Sequence, residues 1–158
     1  MTLKVRSFEP EDSVDCCEIL RACVPFMDGL NDAARARLLE KNTPERIADE
    51  LSSYQTVVCQ IDHSLVGFGA LDGKEIKRVY VHPARHHRGI GRAVMAALEQ
   101  IARRSGITRL SVQSSPNAVS FYERIGYEGE DGGCLIAGQA RFEFIHMEKT
   151  LAKPASST

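Results

Sequence analysis

The segment Arg85-His86-His87-Arg88-Gly89-Ile90-Gly91-Arg92-Ala93 constrains the fold of this chain more than any other. It follows a strand-like run from Ile76 to His82. It leads into a helical period in which Ile90, Ala93, Val94, Ala97, Leu98 and Ile101 share one face. The pattern predicts a helix from near Gly89 to about Ser105, ended by Gly106. Two glycines in its first turn leave the backbone open to close approach, and Arg85, His86, His87 and Arg88 crowd its mouth. The first N–H groups of a helix lack internal partners and lie at the positive end of its dipole. Such a junction suits a phosphorylated ligand. A glycine pair alone would mark only a tight turn; the strand before it and the helix after it favour phosphate.

With 158 residues the chain fits one domain, expected over 1–151, with a small polar tail at 152–158 that frays. Leu3 to Phe8 reads as a first strand. Ser13 is placed to cap a helix running to about Phe26, with Val14, Cys17, Ile19, Leu20 and Val24 as its apolar stripe. A polar helical stretch follows Asp28-Gly29-Leu30-Asn31. Thr43-Pro44-Glu45 then starts a helix that buries Ile47, Leu51 and Tyr54. Gln55–Ile61 and Leu65–Leu71 form a hairpin around Asp62-His63-Ser64, and Asp72-Gly73 turns into the strand ending at His82-Pro83. Beyond the glycine-loop helix come a strand at Thr108–Val112 and a helix from Ser115-Pro116-Asn117 with Ala118, Phe121, Tyr122 and Ile125 inward. A hairpin of Tyr127–Ile136 and Arg141–Lys149 closes the chain. The order β-α-α-β-β-β-α-β-α-β-β predicts an α/β (α+β) fold, a mixed sheet with helices on both faces.

A formal net charge of -1 gives no general attraction to nucleic acid or acidic membranes. The basic residues Lys77, Arg78, Arg85, Arg88 and Arg92 gather locally, which suits a small anion better than a duplex. No apolar run reaches the length of a membrane span, and Met1-Thr2-Leu3-Lys4 lacks a signal-peptide core. The five cysteines, adjacent at 16 and 17 and otherwise scattered among apolar neighbours, read as reduced thiols of a cytoplasmic protein. His82, His86 and His87 have no cysteine or carboxylate at ligand spacing, so no metal site is expected.

Two segments now have to be taken together. Tyr80-Val81-His82-Pro83 through Ala93 resembles the pyrophosphate motif of the GCN5-related N-acetyltransferases (GNAT). Asn117-Ala118-Val119-Ser120-Phe121-Tyr122-Glu123-Arg124-Ile125-Gly126-Tyr127 resembles that family's second motif, about thirty residues further on. The resemblance spans Lys4 to Leu151, and the ending Arg141 to Lys149 is similar to a bacterial subgroup related to YafP. The chain departs from the pattern at His86, where the family usually has glutamine or arginine; Arg85 or Arg88 can supply the charge there.

The resemblance implies a mostly antiparallel sheet with its fourth and fifth strands splayed, acetyl-CoA as cosubstrate, and direct transfer to a primary amine. It implies cofactor contacts from His86, His87, Arg88, Gly89, Ile90, Gly91, Arg92 and Ala93. Val79, Tyr80 and Val81 would pair with the pantetheine arm, one of their N–H groups facing the thioester oxygen, and Asn117 and Phe121 would lie against the cofactor. Tyr122 takes the position of the acid that protonates the departing sulfur; its other reading is a core aromatic. Asn117 could equally serve only to start its helix. Glu75 matches a position where relatives carry a carboxylate base, and His82 is the second base candidate; Glu75 can also be a solvated turn residue. The acceptor pocket is expected from Cys23–Tyr54 and from 132–141, neither of which carries a readable acceptor motif. Relatives are often dimers, and a homodimer is an open possibility.

Overall fold

The computed structural model describes residues 2–152, so the expected tail lies outside the described residues apart from Ala152. Seven strands form one sheet in the order β1-β2-β3-β4-β5-β7-β6. They are β1 (Leu3–Ser7), β2 (Gln55–Ile61), β3 (Ser64–Asp72), β4 (Glu75–Val81), β5 (Arg109–Ser114), β6 (Glu128–Ala137) and β7 (Ala140–Thr150). Every neighbouring pair is antiparallel except β4 and β5, which run parallel. The last strand inserts between the fifth and sixth, pairing with β5 from Arg109↔Thr150 to Ser114↔Ile145.

Three helices, α1 (Ser13–Cys23), α2 (Asp32–Lys41) and α3 (Pro44–Ser53), separate β1 from β2, one more than the order read from the sequence. The polar stretch is a helix of its own because Asn31 caps it, its Oδ1 accepting from the Ala34 N–H at 2.9 Å. Thr43 caps α3 as expected, accepting from Arg46 N–H. The start of α1 corrects the sequence reading. Ser13 is the first helical residue rather than the cap, and Asp12 precedes it. The Asp12 carboxylate accepts two bonds from the Arg6 guanidinium at 2.8 Å and one from the Glu9 N–H. The buried side is Cys16, Cys17, Ile19, Leu20 and Cys23, with Val24 just beyond the helix, so the predicted stripe holds except at Val14, which is 53% exposed.

The period-2 alternation of β2 divides the interior in two. Val57, Cys59 and Ile61 face α4 (Ile90–Arg104), while Val58 faces α1 and α3 together with Phe68 and Ala70 of β3. Helices therefore cover both faces of the sheet. The inward line of α4 is Ile90, Val94 and Leu98, flanked by Met95 and Ala102. Ala93, Ala97 and Ile101 are only half-buried, so the stripe is rotated slightly from its predicted centre. Two β3 glycines let α4 approach: a Cβ at Gly69 would lie 2.7 Å from Val94 Cγ1, and one at Gly67 would lie 2.8 Å from Ile90 Cγ2. Gly69→Ala is accordingly expected to destabilise the protein by about 2 kcal/mol by overpacking. A denaturant titration reads this, and an unchanged midpoint would mean α4 is free to shift.

The parallel pairing of β4 with β5 consists of Glu75↔Ser111 and Ile76↔Val112. Beyond Ile76 the registered pairs stop while both strands continue, so they splay. The sequence-derived expectation of splayed fourth and fifth strands holds. No helix among the described residues is long and apolar enough to cross a membrane.

Candidate active site

The crevice between β4 and β5 opens toward the start of α4, and the intervening residues fold for local reasons. Pro83–Arg85 make a single tight turn, capped by His82, whose Nδ1 accepts from the Ala84 N–H at 3.1 Å. His87 and Gly89 then take left-handed backbone angles, φ 65° and 79°, and Gly89 is the residue that starts α4. The Ala93 N–H donates to the Gly89 carbonyl at 3.0 Å, the first bond of the helix. The amides of Ile90, Gly91 and Arg92 precede that bond and point out of the helix end. The Ala93 amide is thus used by the helix itself. Gly91 faces the ring of Phe121, and a Cβ there would lie 3.1 Å from two of its carbons.

His86 turns inward. Its Nε2 lies 3.1 Å from the Val81 carbonyl, which also accepts from the Cys23 thiol at 3.1 Å. With its proton on Nε2, the histidine that replaces the family's usual residue is engaged by β4 backbone rather than directed to the open helix end. Burial pushes the Cys23 thiol up to about 11, so it stays protonated at neutral pH. Thiols Cys16 and Cys59 are likewise raised by burial.

Strand β4 carries an irregularity that nothing in its sequence announces. Phe68 pairs with Tyr80 and Ala70 with Lys77, so Arg78 and Val79 together oppose Gly69. Arg78 takes φ 58°, and its Nε and Nη2 donate to Glu50 Oε2 and Oε1 at 2.7 and 2.9 Å. Val79 and Val81 pack on the α4 side. Tyr80 packs on the α1 and α3 side, its ring 5.5 Å from that of Phe68. Burial pushes the Tyr80 phenol up, and the Arg78 guanidinium beside it acts in the opposite direction.

On the other wall, the turn Pro116–Ala118 leads into α5 (Val119–Arg124). Tyr122 is 6% exposed and stacks edge-on between Phe121 and Tyr127, at centroid distances of 5.1 and 5.7 Å. Burial pushes its phenol well above the ordinary range, and the nearby Tyr80 adds to the shift. Tyr127 is occupied differently: its hydroxyl donates to Glu99 Oε2 at 2.9 Å, and Lys149 reaches Glu99 Oε1 from β7. Asn117 neither caps nor floats. Its Oδ1 accepts the Asp28 N–H at 3.0 Å, fastening the turn before α5 to the loop after α1. That loop is also tied to the closing hairpin, since Asn31 bonds both the Gln139 carbonyl and the Arg141 N–H. The two segments expected to line an acceptor pocket therefore meet.

Of the two base candidates, His82 commits Nδ1 to its cap. Glu75 sits at the closed end of the splay, opposite Ser111, with the Lys77 ammonium 3.9 Å away and half-shared with Asp72. Among the described residues no group of three or more His, Cys, Asp or Glu is arranged to hold a metal ion. A separate hollow of about 320 Å³, lined by Phe8, Leu51, Tyr54 and Gln55, lies by the first strand and away from this crevice.

Residues 28–151 match the family model described as an acetyltransferase (GNAT) domain. Among solved structures, a GCN5-related N-acetyltransferase from Rhodopseudomonas palustris is 26% identical with a TM-score of 0.88, covering 96% of this chain and 97% of that one. The PaiA N-acetyltransferase of Thermoplasma acidophilum, solved in complex with coenzyme A, shares the fold at TM-score 0.79 and 21% identity, over 96% of this chain and all of that one. An uncharacterised acetyltransferase of Streptococcus pyogenes is 39% identical over 32% of this chain and 36% of its own length. YyaT of Bacillus subtilis is 25% identical over 51% of this chain and 62% of its own length. The chain thus spans under two thirds of the length of these curated relatives. By its motifs, its splayed sheet and the family model that covers most of its length, the chain belongs to the GNAT acetyltransferase family.

Proposed function

We propose that the protein transfers an acetyl group from acetyl-CoA to a primary amine by direct attack, without an acyl-enzyme. What supports this reading is three features beside the β4–β5 splay: the helix start at Ile90, Gly91 and Arg92, the bulged β4 edge, and α5, whose Phe121 packs on Gly91 and whose Tyr122 follows it in the chain. PaiA was solved with coenzyme A, and a Salmonella typhimurium protein of the same fold, YncA, with acetyl-CoA. The residues here fit such a ligand. Gly91, lacking a Cβ, lets the Phe121 ring pack against the start of α4, and the helix end there offers N–H groups to a diphosphate. Arg88 and Arg92 border that end and supply positive charge, and the His87 imidazole lies beside them.

Each chemical requirement then falls to a group of this chain. The Val79 N–H, in the bulge where β4 leaves its register with β3, polarises the thioester carbonyl, and a donor aimed there is worth most where charge develops. The amine nitrogen forms a bond to the acyl carbon as the carbon–sulfur bond breaks; the nitrogen loses a proton and the sulfur gains one. Tyr122, held protonated by burial, donates a hydrogen bond to the departing sulfur. Glu75 receives the amine proton directly or through water, with the Lys77 ammonium 3.9 Å from its carboxylate. Raised thiol pKa values at Cys16, Cys23 and Cys59 favour direct attack, since a nucleophilic cysteine acts as thiolate.

A thiol-release assay over a panel of small amines, peptides and lysine-containing proteins tests the reading. Amine-dependent release of free CoA is the expected result. Tight acetyl-CoA binding with no release for any acceptor would instead indicate a non-catalytic acyl-CoA sensor.

A further inference from the structure

Arg78 is a long, charged residue in the left-handed region in the middle of a strand. The other non-glycine residues with positive φ among those described lie elsewhere: Asp62 and His63 in a hairpin turn, and His87 in the glycine loop. For an L-residue that region is disfavoured because Cβ crowds the following carbonyl. Such a conformation persists only when its surroundings hold it. What holds it here is chiefly Glu50, with the Tyr80 hydroxyl as a further partner of the guanidinium. Both carboxylate oxygens are taken by the Nε–Nη2 edge of the guanidinium at 2.7 and 2.9 Å, which fixes the plane of the side chain as well as its position. Glu50 is itself set on α3 between Ile47 and Leu51, both buried in the second cluster. The carboxylate is therefore presented from a packed helix, and both partners are half-buried.

The register of β4 depends on that residue. Arg78 is the extra member that lets Val79 swing to the α4 side over Gly69 while Tyr80 returns to the α1 side against Phe68. If Arg78 relaxed to an extended conformation, the bulge would move and the backbone of Val79 and Tyr80 would turn. The Val79 N–H is the donor assigned above to the thioester carbonyl.

We infer that Glu50 is a positioning residue that clamps Arg78 in its left-handed conformation and so aims the β4 amides into the crevice. This rests on the proposed acetyl transfer but is tested separately from it. Arg78→Ala and Arg78→Gly both remove the guanidinium; only glycine adopts φ 58° without strain. Arg78→Ala and Glu50→Gln are expected to lower kcat about tenfold with acetyl-CoA affinity unchanged. Arg78→Gly, alone or combined with Glu50→Gln, is expected to stay within about threefold of the parent. Amide chemical shifts of Val79 and Tyr80 give a second readout that needs no activity: displaced in Arg78→Ala, retained in Arg78→Gly. Equal impairment of the alanine and glycine variants with unmoved amides would overturn the inference and assign the guanidinium itself to the acceptor. Wild-type-like kinetics and shifts in Arg78→Ala would show that the bulge needs no clamp. If the parent protein releases no thiol, the proposed activity falls, and the amide shifts alone still decide the clamp.

Discussion

Tyr122→Phe should lower kcat about a hundredfold, at the low end of what a positioned proton donor contributes, while the Kd for acetyl-CoA stays within about twofold. The split follows from where the ring and the hydroxyl act. The ring is packed between Phe121 and Tyr127, and phenylalanine preserves that packing, so fold and cofactor grip survive. The hydroxyl is the part that meets charge developing on sulfur. Because burial raises the Tyr122 phenol, it remains the protonated donor throughout the neutral and mildly alkaline range. The rate should therefore show no fall from loss of this proton between about pH 7 and pH 9, since a group with raised pKa is lost only as pH climbs through the raised value. Steady-state kinetics of both proteins across that range measure both effects. A Phe variant with unchanged kcat would return Tyr122 to the core aromatic that the sequence also allowed.

Gly91→Val has the opposite signature. The added carbons would meet Phe121, whose ring already sits 3.1 Å from the position of a single Cβ, so the start of α4 must shift and its amides with it. Losing two charge-assisted bonds to a diphosphate, at about 1.5 kcal/mol each, weakens acetyl-CoA binding by at least about a hundredfold. Calorimetric titration reads this directly. The variant should remain folded, because Gly91 is at the helix entrance and has ordinary helical geometry. Unaltered affinity would place the ligand elsewhere.

Legibility in the sequence followed the range of the physics. Local signals were readable: Thr43 as a cap, the turn at Asp62-His63, Gly106 after α4, and the glycine pair between strand and helix all act over a few residues. The stripe of α1 was legible at Cys17, Ile19, Leu20 and Val24, all buried; Val14 faces solvent, and the cysteines at 16 and 23 take inward positions that apolar periodicity did not single out. The insertion of β7 between β5 and β6 depends on pairing across more than thirty residues, which alternation alone cannot assign.

Within the site, Tyr122, Asn117 and the loop residues were visible as motif positions, but their contacts were not. Asn117 turns out to bind the loop after α1, and His86 to bind Val81. The Arg78 bulge left no trace because no glycine marks it. Its cause is a carboxylate 28 residues earlier, on another element.

The central claim is that the amides opening α4 hold the diphosphate of acetyl-CoA, and a backbone amide NMR titration tests it most directly. Saturable shifts, largest at Gly89, Ile90, Gly91 and Arg92 and smaller along Val79–Val81, are the predicted result. Binding that leaves those four amides unmoved would contradict it.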